Sequence, residues 1–502
     1  MKTISRIVAI LLALTMMLGV GSVATAAEKD SLRIGLARNV TALDGFTGNN
    51  TSYGIAYSIL DTLVQLNPDS TLRPGIATSW EQVDDYTWRF NIRQGVKFTN
   101  GEDLTAESVA YSLNYMASLD TKYQNYKQWG ESWPPEASVE SETAVLVKTQ
   151  APNLAVPALL TRCAMLPLEA SKEEGYFKAP IGTGAYKLVK WDVGVQLVLE
   201  ANEDYWDGAP AIKTLTYDIM NDATARAAAI KSGEYDFIEN VPFDAALELE
   251  AKPENNLSLV KTQSTGMWYV YFNGFSTNPA ITNPAIRQAL LYAVDHKGIV
   301  DAILGGMTVS PQNITPMNIA GTYDAGGYPD YDPDKAMELA KAAGYNGEEI
   351  RVALHSSQFS NDSEVVELIL AELEMAGFNV SFTQFDGATW SSQYKKTDAY
   401  DISVNGYGGT YTGDSEQYYT QGVRNLGWTY DEAETLLKTI YSEGITPETR
   451  EEALKDIVRV CWEETPYLWG AEAVGLWAVR DGLQGFEILP HGQFNFIKAS
   501  FQ

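Results

Sequence analysis

Hydrophobic and polar positions alternate with period two over residues 86–98, YTWRFNIRQGVKF, where Trp88, Phe90 and Ile92 share one face and Thr87, Arg89, Asn91 and Arg93 the other. That is the pattern of a half-buried strand, and Gln94-Gly95 predicts a hairpin turn at its end. The period then lengthens to that of a helix. Thr105 is its cap, Glu107 faces the positive helix end, and Val109, Leu113 and Met116 line one side. Asn221-Asp222 begins an alanine-rich helix that Gly233 stops, and extended chain resumes from Tyr235 to Ile238. Asn283-Pro284 opens one helix with Ile286, Leu290, Ala293, Val300 and Ile303 inward, ended by Gly305-Gly306. Thr446-Pro447 opens a late helix whose stripe of Leu454, Ile457, Val458 and Cys461 marks a buried face, so Cys461 reads as core.

The clearest architectural signal runs from residue 350 to 382. Strand 350–354 (IRVAL), helix 363–376 ending at Gly377, and strand 378–382 with Phe378, Val380 and Phe382 alternating make a βαβ unit and therefore a parallel pair. Such sheets take ligands beyond the carboxyl ends of their strands, which brings His355 to Phe359 and Gln384 to Trp390 near a cleft. No fixed-period repeat appears, which argues against a solenoid or propeller.

Composition narrows the functional classes. The 502 residues suffice for about three domains, and 45% hydrophobic with 20% charged residues describes a folding chain rather than a disordered one. Acidic residues outnumber basic ones 65 to 36, a formal charge of -29 that repels phosphate backbones and excludes nucleic acid as a partner. Lys2 and Arg6 precede an apolar stretch from Ile7 to Val20, with Ala24-Thr25-Ala26 at signal-peptidase spacing, so residues 1–26 read as an export signal. Its removal takes two positive charges and brings the net to -31. No cysteine lies near the cleavage site, so the expectation is an unanchored periplasmic or extracellular protein. Cys163 and Cys461 read as two buried thiols rather than a bridge.

Markers of catalysis are missing. The chain has no Gly-Lys pair for a phosphate loop, no Gly-x-Ser-x-Gly and no His-Glu-x-x-His, and its three histidines and two cysteines are too scattered for a metal site. Gly182-Thr183-Gly184 lacks the third glycine of a dinucleotide fingerprint and reads as a turn before strand 185–191. Asp330, Asp332 and Asp334 open like a calcium loop, but Lys335 stands where glycine is required; Asp332 capping a helix with Pro333 at its first position fits better. His355 faces either a ligand or structure. The expectation is no cofactor, no metal and no enzyme, with a carboxylate-dependent secreted hydrolase as the alternative.

Several runs together resemble the solute-binding proteins of oligopeptide, dipeptide and nickel type ABC importers. They are Arg73-Pro74-Gly75 through Ser79-Trp80-Glu81, residues 87–109, GTGAYKL at 182–188, NEDYWDGAP at 202–210, Arg287-Gln288-Ala289-Leu290 with Ala293-Val294-Asp295, and Glu464-Thr465-Pro466-Tyr467. The resemblance spans nearly the whole mature chain. It implies an α/β, bilobal, type II periplasmic-binding-protein-like fold with an extra inserted domain. Domain I would be 28–63, 182–272 and 480–502, domain II 64–181, and domain III 273–479. The hinge would be two crossings at residues 267–273 and 475–481, and lobe closure would bury a small peptide-like or oligosaccharide-like solute for delivery to importer transmembrane subunits. A monomer is implied, and a chemosensory receptor uncoupled from transport is the other alternative.

The resemblance also places candidate ligand residues. Peptide-binding members carry roughly Trp-x-Ala-Asp-Tyr after a domain III strand, the aspartate pairing with a peptide ammonium; here the segment is Tyr407-Gly408-Gly409-Thr410-Tyr411. Thr410 at the aspartate position removes that charge, and Asp414 could substitute, so free dipeptides are not the expected best ligands. The segment Thr47 to Tyr53, with Asn49, Asn50 and Ser52, is either a hydrogen-bonding site loop or a solvated one. Trp390, Tyr407, Tyr411 and Trp428 are either cleft or core. The candidate set is Asn49, Tyr53, His355, Trp390, Tyr407, Thr410, Asp414 and Trp428.

Overall fold

A computed structural model describes residues 29–119, 128–252, 256–355, 359 and 361–502. The proposed export signal lies outside the described residues. Ten strands form one mixed sheet: β1 (Ser31–Leu36), β2 (Tyr186–Asp192), β3 (Gln196–Ala201), β4 (Thr214–Ile219), β5 (Phe237–Ile238), β6 (Leu257–Phe272), β7 (Ile350–Leu354), β8 (Val380–Gln384), β9 (Ile402–Tyr407) and β10 (Tyr467–Arg480), in the order β8-β7-β9-β6-β10-β5-β1-β4-β3-β2. The fold is α/β and bilobal: β1, β4 and β5 form a parallel core in one half, and β7, β8 and β9 do so in the other.

The two halves are joined through β6 and β10, which are antiparallel and long enough to serve both. Residues 257–263 of β6 pair with 474–480 of β10 in the first half, and 267–271 pair with 467–472 in the second. Between them the register shifts from Gln263 to Met267. Thr265 in that break is fully buried, donating its N–H to the Pro490 carbonyl at 2.9 Å. A separate four-stranded antiparallel sheet, ordered Ala77–Asp84, Thr87–Ile92, Ala144–Lys148 and Glu136–Ser141, packs with the helix Ala106–Ser118 beside the first half.

Local chemistry accounts for these elements. Thr105 and Ser108 make a reciprocal capping box at the helix Ala106–Ser118, and Thr446 and Thr449 make another at Pro447–Glu463. Asp222 and Asp332 cap their helices through side-chain acceptors. Cys461 is fully buried and unbridged, as is Cys163. The βαβ unit forms with the helix Asp362–Met375, but Phe382 is exposed because β8 is the sheet edge.

Three local expectations are corrected. The hairpin partner of Thr87–Ile92 is the preceding strand Ala77–Asp84, turning at Asp85-Tyr86; beyond Gly95 the chain instead makes a small turn at Asn100-Gly101. The helix expected from Pro284 to Ile303 is two helices, Pro284–Leu291 and His296–Ile303, because the Asp295 carboxylate accepts from the Gly298 N–H and starts a new helix. Residues 47–53 are not a loop throughout: the helix Asn50–Leu60 begins within them, capped by Asn49.

The shared family motifs converge on that helix. A Cβ at Gly182 or Gly184 would lie 2.0 Å and 2.4 Å from the Ile59 and Ser58 carbonyls, so only glycine lets this segment pass the helix end. Just beyond, the buried Asp61 carboxylate accepts from Trp206 Nε1 at 2.7 Å, Tyr205 O–H at 3.2 Å and Thr183 O–H at 3.3 Å. Arg73 clamps Glu487 through two bonds of 2.6 Å. The motif residues thus fix where Asn50–Leu60 sits.

Two consequences are measurable. Thr446→Ala removes a capping acceptor and should lower unfolding free energy by about 1 kcal/mol in denaturant titration. Asp401 is fully buried; burial favours its neutral form, but bonds from the Arg351 guanidinium, Ser276, the Arg351 backbone N–H and Asn278 outweigh this and hold the carboxyl below its usual range. A depressed carboxyl contributes stability above its unfolded pKa and loses it as pH falls through the folded value. Asp401→Asn should therefore destabilise by about 3 kcal/mol at neutral pH, and the deficit should shrink on acidification.

Candidate ligand-binding cavity

Three strands end at one place. Arg38 follows β1, His355 follows β7, and Tyr407 ends β9, all at carboxyl ends, and with the helix start at Asn50 they surround a cavity of about 510 Å³. Tyr269 and Tyr271 of β6 and Asn405 of β9 face it from the sheet. Of the expected residues, the structure brings Asn49, Tyr53, His355, Trp390 and Tyr407 to this wall.

Their side chains are mostly already engaged. Asn49 Oδ1 accepts from the Ser52 N–H at 2.9 Å and its amide donates to the Asn39 carbonyl at 3.0 Å, so it is committed to capping. Tyr53 donates to the Phe46 carbonyl and Tyr407 to Gln417 Oε1, leaving ring faces as their contribution. The His355 ring stacks on Trp390 at 4.5 Å and its Nε2 bonds the Val404 carbonyl at 3.0 Å. Burial pushes the His355 pKa down, against that backbone bond, so the imidazole is neutral at physiological pH. Among the described residues no cluster of three or more His, Cys, Asp or Glu side chains is placed to hold a metal ion.

Three expected residues lie off this wall. Thr410 is 2% exposed, and its hydroxyl is spent on Thr412 Oγ1 at 2.7 Å. The turn is dictated next door, where a Cβ on Gly409, at φ +97°, would lie 2.3 Å from Thr265 Oγ1. Asp414 is buried against Arg450 at 3.0 Å, in a cluster with Glu416, whose carboxyl burial raises to about 7. Trp428 donates Nε1–H to the Phe272 carbonyl and lies over the Arg287 guanidinium at 4.3 Å. Arg287 in turn donates to the Thr465 and Ile281 carbonyls, which explains the RQAL and ETPY motifs structurally.

The centre of the site is a residue the sequence reading passed over. Arg162 is 2% exposed, its guanidinium carbon 3.8 Å from the Tyr53 ring centre and 3.9 Å from that of Tyr411. Tyr53 belongs to the first half of the molecule and Tyr411 follows β9 in the second, so the sandwich spans both. Arg162 Nε and Nη1 have no hydrogen-bond partner. Burial works against its charge, but the three tyrosines around it, Tyr411, Tyr53 and Tyr57, keep its pKa above the usual value. Asn50 pins the arrangement, accepting from the Tyr411 hydroxyl and donating to the His491 carbonyl. The signal was present: Arg162 is the one charge in the apolar run from Leu154 to Leu166.

The charged side chains on the cavity wall are Arg38, Arg162 and Lys395, and no described lining residue is an acid. In a chain with 65 acidic residues against 36 basic ones, that is a strong local inversion of charge.

With this geometry established, known proteins can be compared. Residues 71–426 match the family described as Bacterial extracellular solute-binding proteins, family 5 Middle. The Glutathione-binding protein GsiB of Salmonella paratyphi A is 25% identical over 496 residues, covering 95% of each chain. The ABC transporter substrate binding protein CtaP of Listeria monocytogenes superimposes with a TM-score of 0.83 at 20% identity, over 94% of this chain and 99% of that one. A dipeptide binding protein of Pseudoalteromonas sp. SM9913, solved in complex with Met-Leu, gives 0.80 at 21% identity, over 94% and 100%. The matched segment covers well over half of the chain, which belongs to family 5 of the bacterial extracellular solute-binding proteins.

Proposed function

We propose that this protein captures a small, carboxylate-bearing solute of peptide-like size and delivers it to the transmembrane subunits of an ABC importer. The observation that carries the reading is the cavity wall: three cations, one of them buried with two idle donors, and no acid among the described lining residues. An unpaired buried charge costs several kcal/mol, whereas a carboxylate against it forms charge-assisted bonds. A relative named for glutathione, which carries two carboxylates and one ammonium, supports this class of ligand. A volume of about 510 Å³ suits a di- or tripeptide-sized molecule.

The protein acts as a monomeric receptor without bond-breaking chemistry, exported by residues 1–26 and left unanchored. The domain boundaries expected at 272/273 and 479/480 fall beyond the change of pairing zone in β6 and β10, and we take the register break at 263–267 opposite 472–474 as the hinge. That is the inner edge of the two segments expected to cross. Closure brings Tyr411 onto Arg162 and completes the cation sandwich around the ligand.

Calorimetry with glutathione, its glycine monoethyl ester, Met-Leu, N-acetyl-Met-Leu and maltotriose tests the ligand class. Ligands with net negative charge should bind best, and N-acetylation of Met-Leu should strengthen binding, because the described wall offers an ammonium no acid. Best binding by maltotriose, or by free Met-Leu over its acetylated form, would contradict the reading. Arg162→Met should weaken the best anionic ligand by about a hundredfold. The same variant should leave the unliganded Tm equal or higher, since it removes an unpaired buried charge. A lower Tm with unchanged affinity would make Arg162 a structural residue only.

A further inference from the structure

The four-stranded sheet and its helix belong to the core of the first half: Phe90, Leu113 and Val145 sit in one hydrophobic cluster with Leu32 and Ile34 of β1. The helices Asp431–Thr439 and Pro447–Glu463 belong to another, in which Leu437 and Leu454 cluster with Tyr269 and Tyr271 of β6. A contact between that sheet and these helices therefore crosses from one half to the other, away from the strands that join them. We infer that such contacts form a latch here: the turn at Asp85-Tyr86 and the bend at Gly130 fasten the first half to Glu443-Gly444 and Tyr441 of the second, and this fastening sets how long a captured solute stays. The inference rests on the proposed function for the capture of a solute, and on the contacts for the latch itself.

Three separate observations support it. First, the Tyr86 hydroxyl donates to Glu443 Oε1 at 2.8 Å, and Asp85 Oδ2 accepts from the Gly444 N–H at 2.9 Å. Each half thus gives one donor and one acceptor, which fixes how the two turns meet. Second, Gly130 has φ +54°, and a Cβ there would lie 2.3 Å from the Tyr441 hydroxyl and 3.5 Å from Glu416 Oε1. The backbone of the first half therefore lies directly on a buried tyrosine of the second, an approach that only glycine allows. The neighbouring Trp129, 1% exposed, holds Gly130 to the first core. Third, Ala151, just past the strand Ala144–Lys148, packs against the core of the second half.

The latch stands beside the solute site without being part of it. None of Asp85, Tyr86, Gly130, Tyr441, Glu443 and Gly444 lines the main cavity. A gap of about 570 Å³ between Gly130 and Tyr441 shares Gln421 and Asn425 with the cavity wall, so the fastened residues flank a route between the halves to the solute. The latch is also built to release. Asp84, Asp85 and Glu443 line one shallow seam with Lys148, and the like charges of the two halves oppose the bonds that join them. Exposed hydrogen bonds each contribute little, so their loss changes the rate of opening rather than the fold.

Asp85→Ala/Tyr86→Phe removes both bonds at an exposed turn and leaves the cavity wall intact. With glutathione as probe and tryptophan fluorescence as readout, this variant should release the solute about tenfold faster, with the association rate and the unliganded Tm unchanged. An unchanged dissociation rate overturns the latch, as does faster release that comes with slower association, which would place the turn in the structure of the cavity instead. A second measurement needs no solute. The native cysteines are both fully buried, and a side chain at Gly444, though strained at φ +73°, meets no neighbour within 4 Å. Asp85→Cys/Gly444→Cys should therefore be joined by a short bis-maleimide in the unliganded protein, and the joined protein should no longer take up glutathione. No cross-link under conditions that alkylate both new thiols overturns the inference. The cross-link stands even if glutathione does not bind, which separates failure of the latch from failure of the proposed ligand class.

Discussion

An arginine buried between two tyrosine faces, with no acid beside it among the described residues, is the constraint around which this molecule is organised. The Arg162 guanidinium lies under 4 Å from both ring centres, and cation–π contacts in a dry site return about 2 kcal/mol each. That offsets part of the cost of burying a charge without a counter-ion and leaves the rest outstanding. The tyrosines hold the cation in place, Tyr57 through a side-chain hydrogen bond, but Nε and Nη1 of the guanidinium find no acceptor among the described residues, and the proposed anion would answer that charge.

The rest of the fold serves that arrangement. Tyr53 is placed by the helix Asn50–Leu60, and the helix by Gly182, Gly184 and the Asp61–Trp206–Tyr205 cluster at its end. Tyr411 is placed by the turn at Gly409, which must pass against Thr265 at the register break of β6. The break and the sandwich are therefore mechanically linked through one short loop. With the proposed hinge at 263–267, a change of angle there would move Tyr411 relative to Arg162, which would make the strands that join the halves and the Arg162 sandwich one device.

Much of the fold was legible because it depends on local chemistry. Thr105, Asp222, Asp332 and Thr446 cap helices wherever they meet an apolar stripe, and the alternation at 350–382 allows little besides a βαβ unit. The family motifs were legible as well, yet their roles proved structural: Trp206 serves Asp61, and Arg287 serves the backbone under Trp428. The site was legible only in part. His355, Trp390 and Tyr407 follow from strand ends, while Thr410, Asp414 and Trp428 were chosen by correspondence to a motif, and the turn at Gly409 and the ion pair with Arg450 direct them elsewhere. Arg162 needed a different question, namely what partner a charge has inside an apolar run. Among the described residues no acid supplies that partner, so the sequence could show the isolated charge but not what pairs with it.

The central claim, that a solute anion completes the Arg162 site, is tested most directly by mass spectrometry of the small molecule released on denaturing protein purified from its native host without refolding. The account predicts a stoichiometric, carboxylate-bearing solute of di- or tripeptide size that is absent from Arg162→Met prepared in the same way. A neutral sugar or a net cation retained equally by both proteins would contradict it.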